Sequence, residues 1–238
     1  MKHLSILFAL LVMSESSHST SAMDKHMLYV SQAMSAFYMY DLTEGDDRYL
    51  DTFSELSLQS TSSLRESDTV TKEEYLAKWQ DISSQLQFKP KGDDPVYLDW
   101  HFRENFRKYL TSLYLDMGAA KPVEAETRQQ IIWNIKIKSA FLIARALDVA
   151  SSDYGATSLD DDDRKLDALE VIKQLESDIA HLLSDSSPAA DAVILRRVAS
   201  KITFIKSNLE TYNGNTPYTL LYASMVSINK LLNKVESR

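Results

Sequence analysis

The chain has no cysteine, and it has only five glycines and five prolines in 238 residues. Without cysteine it forms no disulfides, offers no thiolate nucleophile and holds no cysteine-ligated metal. Sheet proteins and enzymes with phosphate-binding loops generally need more glycine and proline for their turns, so the shortage of both favours a helical fold. The sequence also contains no HExxH, GxSxG or phosphate-loop motif, which leaves the enzyme classes defined by those motifs without support.

An excess of basic residues is lacking too, because 34 Asp and Glu outnumber 26 Lys and Arg and give a net charge of −8. Proteins that bind nucleic acids or membrane surfaces usually rely on clustered Lys and Arg, and the overall balance argues against both classes. No later stretch is long and apolar enough to span a bilayer, which takes about 20 residues. We therefore expect no nucleic acid partner and no stable membrane insertion of the mature chain.

The N-terminal segment has the pattern of a secretory signal peptide. A basic start is followed by an apolar run over 4–13 and by small residues at Thr20 and Ala22, which suit a cleavage site. The apolar run, about ten residues long, is too short to cross a membrane. We predict an exported protein, periplasmic or secreted, with a signal peptide over 1–22 and a mature chain over 23–238. The alternative is an N-terminal helix that is not cleaved.

The stretch 127–150, TRQQIIWNIKIKSAFLIARALDVA, organises the rest of the chain. At about 100° per residue its apolar side chains occupy most of the helix circumference, and a helix of this kind is buried by its neighbours. Pro122 is well placed to open the helix, because proline is favoured at the first helical position. We predict a helix over 122–150 that the other segments wrap.

The remaining segments show apolar residues at helical spacing between capping and turn residues, and no segment has convincing strand character. Short connections favour antiparallel neighbours. We predict an all-α fold, a helical bundle of about seven to eight mostly antiparallel helices around the buried central helix. Residues 23–238 are expected to form a single domain, and the loop over 89–95, rich in proline, lysine and aspartate, marks a sub-boundary between two halves.

Acidic residues and histidines do not make a complete metal site in the sequence. Asp163 and Asp167 are one helical turn apart, but no second acidic pair of that type occurs, and the run over 160–163 suits a helix N-terminus. The Glu-x-x-His motif that di-iron bundles use twice is approached only by Asp178 and His181. We predict no metal ion, no cofactor and no catalytic residue.

Two surfaces are candidates for ligand recognition. The fourth predicted helix is rich in aromatic residues, and Arg103 and Arg107 share one of its faces close to Trp100. Paired guanidinium groups beside aromatic rings can hold a carboxylate or an aromatic ligand; the alternative is a core of aromatic side chains with solvated arginines. On the central helix Lys138 and Arg145 lie on a narrow polar stripe, which is either the wet face or the lining of a pocket. We predict that these five side chains bind a small organic anion.

The segment Gln32 to Phe53, QAMSAFYMYDLTEGDDRYLDTF, has a recognisable order. It contains an aromatic-rich helix, then a Thr-x-Gly-Asp turn, and then Tyr-Leu and a further aromatic residue. The positions that carry this pattern are Thr43, Gly45, Asp46, Tyr49, Leu50 and Phe53. The segment resembles the first helix and turn of the helical-bundle sensor domains of bacterial chemoreceptors and sensor kinases. The resemblance covers 22 of 238 residues. It implies an extracytoplasmic bundle that binds small organic acids, amino acids or periplasmic proteins, here as a free-standing relative without a signalling region.

Three functions follow as hypotheses. The first is an exported, non-catalytic binding protein that recognises a small anionic or organic ligand, or a membrane sensor or transporter partner. The alternative is a protein–protein interaction factor without a small ligand, such as an inhibitor or immunity-type protein, a chaperone or an assembly factor, which would show a surface patch instead of a pocket. The third is an enzyme, which would need buried titratable groups that converge in the fold.

Overall fold

The computed structural model describes residues 21–67, 72–85, 100–119, 127–151, 167–184, 188–210 and 217–237. Within these ranges the chain forms eight α-helices and no strand. In chain order the helices are α1 (Ala22–Leu42), α2 (Asp47–Arg65), α3 (Lys72–Gln85), α4 (Trp100–Ala119), α5 (Arg128–Ala150), α6 (Ala168–Ser184), α7 (Ala189–Glu210) and α8 (Tyr218–Glu236). The helices pack antiparallel, which confirms the predicted all-α bundle.

The central helix α5 begins later than its sequence suggests. The Thr127 hydroxyl accepts a hydrogen bond from the Gln130 amide, and the Gln130 side chain accepts one from the Thr127 amide, so the two residues form a capping box. The backbone of Thr127 is extended, with φ −69° and ψ 155°. The predicted helix over 122–150 therefore does not run unbroken through Thr127, and α5 begins at Arg128. Residues 122–126 lie outside the described ranges.

The first helix begins inside the predicted signal peptide. Ser21 and Asp24 form a capping box at its N-terminus, with the Ser21 hydroxyl 3.0 Å from the Asp24 amide. Cleavage after Ala22 would remove this cap, and the loss of an N-cap costs about 1 kcal/mol of helix stability. Residues 1–20 lie outside the described ranges, so the signal peptide stays a prediction.

Two helices, α1 and α5, lie side by side at the centre of the bundle. Most residues of both are buried. Helices α2, α4 and α8 contact α1, while α6, α7 and α8 contact α5. The predicted buried central helix is confirmed, and α1 is a second one. None of the described helices has both the length and the apolar character that crossing a bilayer requires.

Small residues allow α1 to occupy this position. Ser31, Ala33, Ser35 and Ala36 are fully buried along the helix and let neighbouring backbones approach closely. The Ser31 hydroxyl donates to the Met27 carbonyl at 2.8 Å, and the Ser35 hydroxyl donates to the Ser31 carbonyl at 2.9 Å. Both hydroxyls thus find acceptors one turn back on their own helix. A buried helix can carry them without leaving a polar group unsatisfied.

A buried ion pair joins the end of α8 to α5. The Lys136 side chain is 1% exposed, its ammonium group contacts the Glu236 carboxylate, and it lies 4.4 Å from the centre of the Trp133 ring. Glu236 also accepts hydrogen bonds from the Trp133 indole at 2.9 Å and from the Gln129 amide. Burial lowers the pKa of Lys136. Burial alone would raise the pKa of Glu236, but the hydrogen bonds from Lys136, Trp133 and Gln129 outweigh it and lower that pKa.

We expect Glu236→Ala to lower the free energy of unfolding by about 2–3 kcal/mol, because Lys136 would be left as a buried charge without its partner. This is less than the loss of a fully enclosed pair, since the Glu236 side chain is 26% exposed. Urea unfolding followed by circular dichroism measures the change. Glu170→Ala is the matched control, because it removes an ion pair to Lys173 whose side chains are 55% and 68% exposed. Equal losses of stability for the two variants would contradict a stabilising role of the buried Lys136–Glu236 pair.

Candidate functional site

The two arginines predicted to bind an anion point into the bundle. Arg103 donates from Nη1 to the Ser151 carbonyl at 2.7 Å, and from Nη2 to the Ser151 hydroxyl at 2.6 Å and the Asp148 carbonyl at 3.0 Å. Its guanidinium group also lies 3.4 Å from the Asp41 carboxylate and 5.1 Å from the centre of the Tyr38 ring. Arg103 therefore ties α4 to the end of α5 and to α1.

Arg103 Nη2 also lies 3.4 Å from Asp148 Oδ1, and Arg107 approaches this Asp148 carboxylate from the next turn of α4. Its Nη1 lies 3.2 Å from Asp148 Oδ2, and the Arg107 and Asp148 side chains are 5% and 2% exposed. Burial raises the pKa of the neighbouring Tyr38 hydroxyl well above its usual value, and the negative charge of Asp148 raises it further. Sequence reasoning paired the two arginines correctly on one face. In the fold, the carboxylate that they meet belongs to Asp148.

Lys138, another predicted ligand-binding residue, pairs with a different helix. Lys138 Nζ is 2.9 Å from Asp178 Oδ2 on α6, and both side chains are largely buried. Lys138 is ten residues before Asp148, about 15 Å along the helix axis, so it does not join the arginine pair. The Arg145 guanidinium group lies 5.6 Å from the centre of the Phe141 ring. Trp100 is the first residue of α4, but its side chain lies outside the described part. The binding role of these five residues stays a prediction.

A buried histidine near the start of α1, at the other end of that helix from Tyr38 and Asp41, connects three helices. His26 is fully buried, with Nδ1 3.0 Å from the Ser60 carbonyl and 2.8 Å from the Ser60 hydroxyl. Its Nε2 lies 2.6 Å from the Tyr109 hydroxyl. A carbonyl only accepts, so the bonding pattern assigns the proton to Nδ1 and leaves Nε2 to accept from Tyr109. Burial lowers the pKa of His26 to about 4, although the bond to Ser60 opposes the change. The imidazole is neutral at pH 7.

Aromatic rings enclose this histidine. The Trp79 ring meets His26 edge-on at 6.0 Å and stacks on Tyr109 at 5.8 Å. The Trp79 indole donates to the Thr61 hydroxyl at 2.9 Å. The sequence shows three scattered histidines after the N-terminal segment and no pattern that distinguishes His26. Its inward position between Met23 and Met27 was the only signal, and that signal does not reveal its partners.

A groove of about 340 Å³ lies between α3 and α4, next to this cluster. Its walls are made by Lys78, Asp81, Ile82, Asn105, Lys108, Tyr109 and Ser112. At about 100° per residue, the groove-lining residues of α4 lie on the side of that helix opposite Arg103 and Arg107. The groove therefore differs from the predicted site, and none of the five predicted residues lines it.

Two lysines stand at the groove, each held by its own helix. Lys78 Nζ is 2.7 Å from Glu74 Oε1, and Lys108 Nζ is 2.6 Å from Glu104 Oε1. The lysine side chains are 50% and 52% exposed. Tyr109 forms part of the wall and is held by the hydrogen bond to His26. The groove thus has two exposed lysines at its surface and the buried side chains of Ile82 and Tyr109 beneath.

No group of three His, Asp or Glu side chains among the described residues is close enough together to hold a metal ion. Asp178, half of the nearest approach to an iron motif, is paired with Lys138, and His181 is exposed on α6. The acidic run over 160–163 lies outside the described ranges.

Comparisons of the chain with protein-family models, with curated proteins and with solved structures find no match. The resemblance of residues 32–53 to bacterial sensor domains therefore stays a prediction. The function has to be argued from the geometry of this chain alone.

We expect stability to fall as the pH is lowered from about 6.5 to about 4, in part because of His26. Its pKa is 6.5 when unfolded and about 4 when folded. In this window the unfolded chain binds a proton that the folded chain excludes, so folding loses up to about 3 kcal/mol on acidification. The measurement is the free energy of urea unfolding against pH for the unsubstituted protein and for His26→Gln.

The carboxylates titrate in the same window in both proteins, so the difference between the two pH profiles isolates His26. His181→Gln removes an exposed histidine and serves as the control, with a profile like that of the unsubstituted protein. Identical profiles for all three proteins would contradict the burial of a neutral His26.

We expect Arg107→Ala to destabilise the fold by about 3 kcal/mol, because it withdraws one of two guanidinium groups from the buried Asp148 carboxylate. Arg48→Ala is the control, since its ion pair to Asp46 is 86% exposed on the arginine side and exposed pairs contribute about 0–1 kcal/mol. Thermal or urea unfolding measures both. If Arg107→Ala folds normally and loses little stability, the prediction is contradicted, and Arg103 and Arg107 are again candidates for ligand binding.

Proposed function

We propose that the protein is an exported, non-catalytic helical-bundle binding protein that holds a small organic anion in the groove between α3 and α4. The observation that carries the proposal is a concave space of about 340 Å³ with two lysines and a buried tyrosine in its wall. Sites for small molecules commonly occupy about 300–1,000 Å³ and combine an apolar lining with a few placed polar groups. The groove combines the apolar surfaces of Ile82 and Tyr109 with polar groups on the other five lining residues.

The charge of the groove favours an anion. Lys78 pairs with the exposed carboxylate of Glu74, and Lys108 pairs with the half-buried carboxylate of Glu104, each on its own helix. Both lysine side chains are about half exposed, and ion pairs near the surface contribute about 0–1 kcal/mol. Exchanging these intrahelical partners for the carboxylate of a ligand is therefore nearly neutral before the ligand adds its own contacts. Asp81 in the same wall offsets one positive charge, which favours a monocarboxylate over more highly charged acids.

The floor of the groove favours a ligand with an apolar or aromatic body. Ile82 and Tyr109 are 5% and 4% exposed, so protein atoms surround both side chains on nearly every side. Trp79 stacks on the far side of Tyr109, and His26 fixes its hydroxyl. A wall that does not need to rearrange loses little entropy when a ligand binds, which is the advantage of a preorganised site. Asn105 and Ser112 add hydrogen-bonding groups that can orient the ligand.

The arginine pair is less suited to this role. The hydrogen bonds of Arg103 already reach Ser151, Asp148 and Asp41, and Arg107 shares Asp148. A ligand carboxylate there would have to displace a buried internal one. We therefore favour the α3–α4 groove, and we assign the arginine pair to holding α4 against α5.

The test uses benzoate as the probe, because it joins one carboxylate to one aromatic ring. We expect saturable binding by isothermal titration calorimetry, and a loss of roughly tenfold in affinity for each ammonium group removed in Lys78→Gln and Lys108→Gln, since hydrogen bonds to charged groups contribute about 1.5–3 kcal/mol. Benzyl alcohol, with the same ring and no charge, should bind more weakly than benzoate to the unsubstituted protein.

The matched control is Arg48→Gln with Lys173→Gln, which removes two exposed, paired cations from α2 and α6. It should leave benzoate binding unchanged. Equal binding by the groove variants and the unsubstituted protein would contradict the site. Native mass spectrometry of the purified chain separates the wider hypotheses: a co-purified small acid supports the binding role, whereas a partner chain without a small molecule supports the interaction factor.

A further inference from the structure

The net charge of the chain conceals a strong segregation of charge. Residues 188–238 contain seven Lys or Arg against three Asp or Glu, a net charge of +4. The remaining residues contain nineteen Lys or Arg against thirty-one Asp or Glu, a net charge of −12. The basic segment corresponds to the hairpin of α7 and α8, two helices that pack against each other.

Five cations of this hairpin define its basic face: Arg196, Arg197, Lys201, Lys230 and Lys234. Four of them are exposed, and Lys201 is half-buried. None of the five side chains makes an ion pair or hydrogen bond with another residue of the described ranges. Lys206 behaves differently, because it turns to the flank of α7 and pairs with Glu176 of α6 at 3.0 Å.

Contacts with α5 set the register of the two helices. Arg128 Nη2 lies 3.0 Å from Asp191 at the start of α7, and the next residue, Gln129, bonds Glu236 at the end of α8. Asp191 and Glu236 are therefore at the same level of the hairpin. Arg197 is six residues after Asp191, and Lys230 is six residues before Glu236. At 1.5 Å per residue both lie about 9 Å from that end.

The same counting places the other members of the face. Val193 and Lys234 are both two residues from the level of Asp191 and Glu236, and Lys201 and Val226 are both ten residues from it. Val193 is 49% exposed and Val226 is 47% exposed. Cations and valines therefore occupy matched levels on the two antiparallel helices, at positions that are exposed except for the half-buried Lys201.

We propose that the basic face of the α7–α8 hairpin docks the protein peripherally on an anionic phospholipid surface. The face is formed by two antiparallel helices, and its cations are spread over about two helical turns. Spread, unpaired charge suits a diffuse array of phosphates better than one carboxylate, and interspersed apolar side chains can enter the headgroup layer. The negative charge of the remaining molecule is repelled by the same surface, so the hairpin must face it.

The test is co-sedimentation of the full chain with phosphatidylglycerol–phosphatidylcholine vesicles and with vesicles of phosphatidylcholine alone. We expect binding only to the first, and a decline as salt is raised toward 1 M, where the screening length falls to about 3 Å. Arg197→Gln with Lys230→Gln removes the level pair at the centre of the face. It should weaken binding roughly 30-fold, from about 1 kcal/mol for each basic residue near an anionic surface.

The matched control, Arg65→Gln with Lys173→Gln, removes the same charge from exposed positions on α2 and α6 and should bind like the unsubstituted protein. Equal weakening in both double variants would overturn the proposal, because it would show a general charge effect. Failure of the unsubstituted protein to bind phosphatidylglycerol vesicles at low salt would overturn it as well. Binding to duplex DNA without binding to vesicles would assign the face to nucleic acid instead.

Discussion

The structure depends on the exclusion of water from two neighbouring helices. Helices α1 and α5 are covered on most sides, and an unpaired polar group in such a place is costly. Most of the buried polar side chains that they carry find a partner inside the protein, and the Tyr38 hydroxyl is an exception. Ser31 and Ser35 do so within their own helix, whereas His26, Lys136 and Asp148 reach across to other helices.

These long-range pairings decide where the outer helices lie. His26 connects α1 to α2 and α4, and Lys136 connects α5 to the end of α8. Asp148 connects α5 to α4 through two guanidinium groups. Apolar packing supplies the driving force for burial, but it is not directional. The polar contacts give each covering helix a specific position and leave α3 and α4 with a groove between their outer parts.

The fold class could be predicted because helical spacing and the scarcity of glycine are local properties of the chain. The stretch that forms α5 shows by its own composition that it is buried. The capping residue Asp46 likewise marks the start of α2. Partners could not be predicted in this way. Arg103 and Arg107 were correctly placed on one face, but the sequence does not show that Asp148, more than forty residues away, supplies the carboxylate between them. Lys138 finds Asp178 by the same kind of distant pairing.

Periodicity and capping chemistry determined by themselves that this chain forms helices, roughly where most of them lie and which one is buried, because both act within a few residues. Tertiary structure alone decided which charges meet, which are left on the surface and where a concave space remains. The sequence itself contains a basic segment over 188–238 within a net charge of −8, but only packing shows that this segment is a hairpin whose exposed cations have no partners in the described ranges. Contacts between residues far apart in the chain depend on the relative placement of whole helices, and no local pattern contains that placement.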